Sequence, residues 1–287
     1  MTITVDQQAA EGAEFARDPV PAGIGAAIRA LDDHPRVAVV LTHPVPPGCA
    51  TAAARHPARV VEVGADPEMA IGVAHGLALA GMRPVVHCVA PILGRQSSQR
   101  LALLGRSGAA VLLAPVAPED AGLLDALGGW TVHVPGHPEE TDRLLLSALH
   151  GTSPVHLGLS SRSNRGPHFA GGLQPLSRGR SCVVLAVGPT LEPVLRATAG
   201  LDVTVLYTAT VRPFDDITLR TAVLAADHPD VVLVEPYRAG ASAHLVARTL
   251  VHVPHRLLAL GAGAGVRDIA DAVRRFLRSG PTAPARL

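Results

Sequence analysis

Short aliphatic runs alternate with longer Ala- and Leu-periodic segments along this chain, and that alternation restricts it to folds in which strands are layered against helices. Strands are predicted at 36–42 (RVAVVLT), 59–63, 85–89, 109–114, 130–134 and 154–159, with helices at 67–80, 95–104, 118–127 and 138–150 between them. The runs lack polar alternation, as expected of parallel strands covered on both faces. Openings such as Asp66-Pro67-Glu68 and Pro138-Glu139-Glu140 place proline in the first turn and acids near the positive helix end. Gly, Pro and Ser replace periodic residues at 165–180, which reads as a linker. Beyond it come strands at 181–187, 203–208, 231–235 and 256–260, with helices at 192–198, 215–226, 241–251 and 266–278. The expected architecture is α/β, two doubly wound domains with largely parallel sheets. It comprises an N-terminal extension at 1–19, a domain at 20–164, the linker at 165–180 and a second domain at 181–287.

Several function classes lose support from composition. With 25 Lys+Arg, all of them arginine, against 24 Asp+Glu, the net charge is +1, too little to hold a polyanion nonspecifically. Cys49, Cys88 and Cys182 are isolated and form no CxxC pair, which points to a reducing cytoplasm and gives no metal or redox motif. No apolar stretch reaches the length of a membrane span. The glycine run at 261–265 follows a strand and precedes a helix like a dinucleotide fingerprint. It sits at the last strand, with no following strand for a ribose-binding acid, so a plain turn is the better reading. His133 and His137 are separated by a strand end and a Pro-Gly turn, unlike helical metal ligands.

One block rises above this background: VVEVGADPEMAIGVAHGLALAGMRPVVHCVAPILGRQSSQ, at 60–99. It resembles the pyrimidine-binding domain of transketolase and 1-deoxyxylulose-phosphate synthase type enzymes. The matching features are Glu62-Val63-Gly64, the helix with Gly72, Ala74, Gly76, Leu77 and Ala78, then Gly81, Arg83-Pro84, His87 and Ala90-Pro91. Downstream, TSPVHLGLSSRSN and TATVRPFD are similar to further family segments, and VVLVEPYRAG and GVRDIADAVRRFL continue the match into the family's C-terminal domain.

That resemblance implies a C-terminal half, pyrimidine-binding plus C-terminal domain, of a thiamine diphosphate enzyme that transfers a two-carbon ketol or acyl unit. The family's Gly-Asp-Gly motif and later Asn, which hold Mg2+ and the diphosphate, have no counterpart here. The implied partner is therefore a separate N-terminal-half transketolase-like subunit, in a heterotetramer. The position of the family glutamate that contacts the aminopyrimidine falls on Pro67, which cannot exchange a proton. Glu68, one residue later and about 100° around the helix, is the candidate catalytic acid, while helix capping accounts for the same residues. Val89 and Ile92 stand where the family places aromatics against the ring, so apolar contact remains and stacking is lost. Arg95 and Gln99 either face the cofactor pocket or form a solvated helix face. His87 and Arg162 are the implied substrate contacts, Arg162 matching a phosphate-binding arginine, with a surface ion pair as its alternative. A loop that reaches substrate in the family is shortened between Ala114 and Trp130, which points to a natural-product or carrier-bound acceptor. Loss of the glutamate and aromatics also fits a noncatalytic scaffold subunit of such a complex.

Overall fold

A computed structural model describes residues 2–5, 23–89, 95–116 and 127–279. Nearly all of the helix expected at 118–127 lies outside the described residues, as do Ile92 and the side chain of Arg95. In chain order the strands are β1 (Thr2–Val5), β2 (Val37–Leu41), β3 (Val60–Glu62), β4 (Arg83–His87), β5 (Val111–Pro115), β6 (Thr131–His133), β7 (Val155–Leu159), β8 (Gln174–Ser177), β9 (Val183–Val187), β10 (Thr204–Thr208), β11 (Thr210–Arg212), β12 (Asp230–Val234) and β13 (Arg256–Leu260). The described helices are α1 (Ile24–Asp33), α2 (Cys49–Arg55), α3 (Pro67–Leu79), α4 (Arg95–Ser107), α5 (Pro138–His150), α6 (Leu191–Ala197), α7 (Asp216–Leu224), α8 (Ala243–Thr249) and α9 (Val266–Arg278). None is long and apolar enough to cross a membrane.

The chain divides into two units. One comprises Phe15–Phe169 with Thr210–Pro213, and the other Met1–Glu14, Ala170–Ala209 and Phe214–Leu287. In the first unit a seven-stranded sheet runs β11-β6-β7-β5-β4-β2-β3. Its neighbours are parallel, except for the antiparallel β11 beside β6. Every residue of β2 and β4 is buried, as the aliphatic runs without alternation require. One face carries Val39, Leu41, Val85, Val111 and Leu113, clustered with Ile24, Ala27 and Leu31 of α1 and Leu145 of α5. Side chains alternate along a strand, so the opposite face receives α3 and α4, which pack on each other, with α3 against β2 and β4.

Arg83, one of the residues that carry the resemblance, serves this framework. It is 6% exposed at the amino end of β4, where it donates to the carbonyls of Gly108, Ala148 and Ser153. A guanidinium with several fixed donors suits such orphaned carbonyls near helix ends.

The second unit is a six-stranded sheet in the order β1-β13-β12-β9-β10-β8, parallel except that β8 runs antiparallel to β10. In this unit two segments depart from the sequence reading. β8 lies within the expected linker, and β1 lies within the expected N-terminal extension and pairs with β13. Gln-Pro-Leu-Ser at β8 is half-exposed, so its edge pairing left no apolar signal. At the amino ends of β12 and β13, Arg256 Nε donates to Asp230 Oδ1 at 3.0 Å and Nη2 to Oδ2. The guanidinium also covers the Phe276 ring at 4.5 Å. Arg256 also donates to the Phe276 carbonyl and the Ser279 hydroxyl, so Asp230→Asn should cost roughly 1–3 kcal/mol in denaturant unfolding, the scale of hydrogen bonds to a charged group.

The two units carry buried groups that respond to pH in opposite senses. Burial holds His87, His133 and His156 of the first unit down at about 4. The unfolded chain takes up these protons near the ordinary histidine value, so their contribution to stability is present above about 6.5 and is lost as pH falls through 4. Burial instead raises Glu235, at the end of β12, to about 7, so its contribution is present below about 4.5 and is lost as pH rises through 7. Denaturation of Glu235→Gln between pH 5 and 8 should therefore show less loss of stability on the alkaline side than the parent, whereas His156→Gln should show a shallower loss between pH 6.5 and 4.

Candidate functional site

Parallel strands bring their carboxyl ends to one edge of a sheet, which is where open α/β folds place ligands. In the first unit these ends are cross-tied beyond the ladder. Thr42, directly after β2 and 1% exposed, accepts the Val89 N–H on Oγ1 at 3.1 Å and donates that hydroxyl to the His87 carbonyl at 3.4 Å. Its own N–H reaches the same carbonyl at 3.1 Å, while the His43 N–H donates to Gly64 at 2.6 Å. The ends of β3, β2 and β4 are thereby held in one crest.

Gly64 turns the chain from β3 toward α3 at a φ of +74°, a conformation in which a Cβ would be strained. Asp66 then caps the helix, its carboxylate accepting the Glu68 N–H at 2.9 Å, with Pro67 in the first helical position. Glu68 is half-buried and its Oε2 lies 3.7 Å from Nε of Arg100 on α4. Arg100 also donates to the Glu68 carbonyl at 3.3 Å.

Several sequence-predicted site residues thus gather at this crest. Pro67 and Glu68 open α3, Val89 is half-buried past β4, and α4 brings Arg100 and the exposed Gln99 alongside. Other positions differ from the expectation. His87, expected to touch substrate, is 1% exposed; its Nδ1 has no partner among the described residues, and the ring is kept neutral by burial. It faces protein because the register places it beside Leu41 and Leu113. Arg162 is exposed past β7, two strands from β4 in the sheet order, so nothing in the ladder joins it to Glu68.

Residues the sequence reading did not single out complete the picture. Thr42 ties the crest, and His43 is exposed beside it. A threonine at a strand end gives no pattern in one sequence, since its role depends on the neighbouring strand. His137 proves to be the cap of α5, its Nδ1 accepting the Glu139 N–H at 3.2 Å. The Cys88 and Cys182 thiols are pushed up to about 12 by burial, which leaves them poor nucleophiles at neutral pH. A Cβ on Gly261 would lie 2.4 Å from the Ala239 nitrogen, so the glycine run packs against its own neighbouring loop. Among the described residues no group of three or more His, Cys, Asp or Glu is placed to hold a metal ion.

No protein-family model matches the chain. It is 46% identical over 256 residues to an uncharacterized 33.6 kDa protein of the fasciation locus of Rhodococcoides fascians, covering 83% of this chain and 82% of that protein. It is 29% identical over 218 residues to a 1-deoxy-D-xylulose-5-phosphate synthase of Thioalkalivibrio sulfidiphilus, covering 68% of this chain and only 34% of the synthase. Among solved structures, a split-gene transketolase described as an inactive β4 tetramer matches with a TM-score of 0.74 at 20% identity, covering 91% of this chain and 99% of that one. The chain belongs to the family of the fasciation-locus protein, and its fold is that of the split-gene transketolase chain it matches.

Proposed function

We propose that this chain is the pyrimidine-side subunit of a two-chain transketolase-like enzyme that transfers a two-carbon ketol or acyl unit with thiamine diphosphate. A second, N-terminal-half subunit would hold the diphosphate and Mg2+, in a heterotetramer. One observation carries the reading: the chain covers 99% of a split-gene transketolase chain but 34% of a 1-deoxy-D-xylulose-5-phosphate synthase. On that split-gene pattern, the rest of such an enzyme would be a separate chain.

The crest suits the ring end of the cofactor in chemistry. Val89 offers an apolar wall, and the first turn of α3 offers one carboxylate. When bound, thiamine diphosphate supplies a nucleophilic carbon that adds to a substrate carbonyl. Glu68 Oε2 is the group of this chain able to hold or release a proton there. Its present partner, Arg100, stands at 3.7 Å with half of its side chain exposed, and exposed pairs of this kind are worth at most about 1 kcal/mol. Redirecting the carboxylate is therefore cheap. Arg162 would meet an anionic group of the substrate, for which a guanidinium fork is suited.

Assembly would use the outer side of α3. Beyond Glu68 this helix has no acidic or arginine side chain, yet Met69 is 53% and Leu79 71% exposed, and a Cβ on Gly76 would meet nothing within 4 Å among the described residues. Glycine inside a helix costs about 1 kcal/mol, a cost recovered where a partner backbone approaches closely.

A noncatalytic scaffold is the second reading, supported by the Asp66 cap, which accounts for the Asp-Pro-Glu sequence by helix stability alone. Glu68→Ala separates the two. In the complex assembled from both chains it should slow exchange of the cofactor's reactive C–H with solvent deuterium by about 10²-fold or more, the scale of acid–base catalysis, with assembly intact by sedimentation. Unchanged exchange would favour the scaffold. Asp66→Ala should instead cost roughly 1 kcal/mol of stability with little effect on exchange.

A further inference from the structure

Glu140 is a carboxylate that the mechanism above does not use. It lies in the first turn of α5 and is 1% exposed. Its Oε2 accepts the Gly136 N–H at 2.8 Å and its Oε1 accepts the His168 N–H at 2.7 Å. Gly136 belongs to the loop between β6 and α5, and His168 to the strap that follows β7. The two loops are joined once more, because the Gly136 carbonyl accepts the Asn164 N–H at 2.7 Å. Nearer β7, the Arg162 N–H donates to Ser160 Oγ at 3.0 Å.

These bonds fix the strap on both sides of Arg162, by Ser160 before it and by Asn164 and His168 after it, and the last two lead back to the same carboxylate. Arg162 itself is exposed. Burying a charged group is costly unless it is hydrogen-bonded, and here both oxygens are spent on backbone N–H groups of the two loops. Holding the backbone beneath an arginine lowers the ordering cost of an anion contact, which is the general benefit of preorganisation.

We propose that Glu140 is a positioning residue, which clamps Gly136 and His168 and so fixes the strap that presents Arg162 to an anionic group of the substrate. The inference rests on the reading of Arg162 as a substrate contact. It is tested on the full chain by titrating inorganic phosphate and following the Arg162 side-chain and strap amide signals by NMR, in the parent, Arg162→Ala, Glu140→Gln and the double variant. Glu140→Gln keeps the size of the side chain but turns an amide N–H toward a backbone N–H. It should weaken phosphate binding about tenfold, the scale of one charge-assisted hydrogen bond, and this effect should vanish in the Arg162→Ala background. An unchanged affinity in Glu140→Gln, or an equal loss with and without Arg162, overturns the positioning role while leaving the Arg162 contact standing. Parent-like binding by Arg162→Ala overturns both. Should Glu140→Gln fail to fold, Glu140→Asp, whose carboxylate is drawn back by one methylene, serves the same cycle with the same outcomes.

Discussion

Backbone hydrogen bonds in a buried parallel sheet have no water to fall back on, so each strand must find its partners in the ladder and nowhere else. The ladder gives out at the carboxyl ends, where N–H and C=O groups need other partners. In the first unit Thr42 supplies them with one hydroxyl and one N–H, and the His43 N–H to Gly64 supplies a third link. The same demand that closes the sheet therefore fixes the backbone from which Gly64, Asp66 and Val89 project. A candidate site at this edge inherits its rigidity from the core. It needs no further structural device of its own.

How much of this was legible beforehand follows from where each signal resides. Aliphatic runs announce buried strands because their periodicity is local, and strands β2 to β7 begin and end within two residues of the expected runs. Caps are equally local, as Asp66 and Pro67 show. β8 and β11 went unread because a half-exposed edge strand is defined by its partner, and Gln-Pro-Leu-Ser carries no apolar imprint. At the site the limit was of the same kind. The Asp-Pro-Glu turn was visible, whereas the burial of His87 depends on its register beside Leu41 and Leu113, a property of three strands together.

Likeness to a family is not evenly distributed between framework and chemistry. Arg83 binds three carbonyls at the amino edge, far along the strand from the crest. Gly261 is pressed against the loop at Ala239, where no side chain fits. Packing at such positions tolerates few replacements. These positions would be kept by a catalytic and by a noncatalytic subunit alike.

Discrimination therefore has to come from residues that the framework does not need. Glu68 meets that condition better than Asp66, because the cap uses only the Glu68 backbone N–H and leaves its carboxylate to a distant, half-exposed arginine. A carboxylate that contributes little to folding is free to be selected for something else, or for nothing. Proline at 67 adds a constraint on that choice. It fixes its own φ at the start of α3, which narrows the backbone conformations through which the next residue's carboxylate can be turned. Under the proposed function, the chemistry would reduce to whether this one side chain at the start of α3 reaches the cofactor ring.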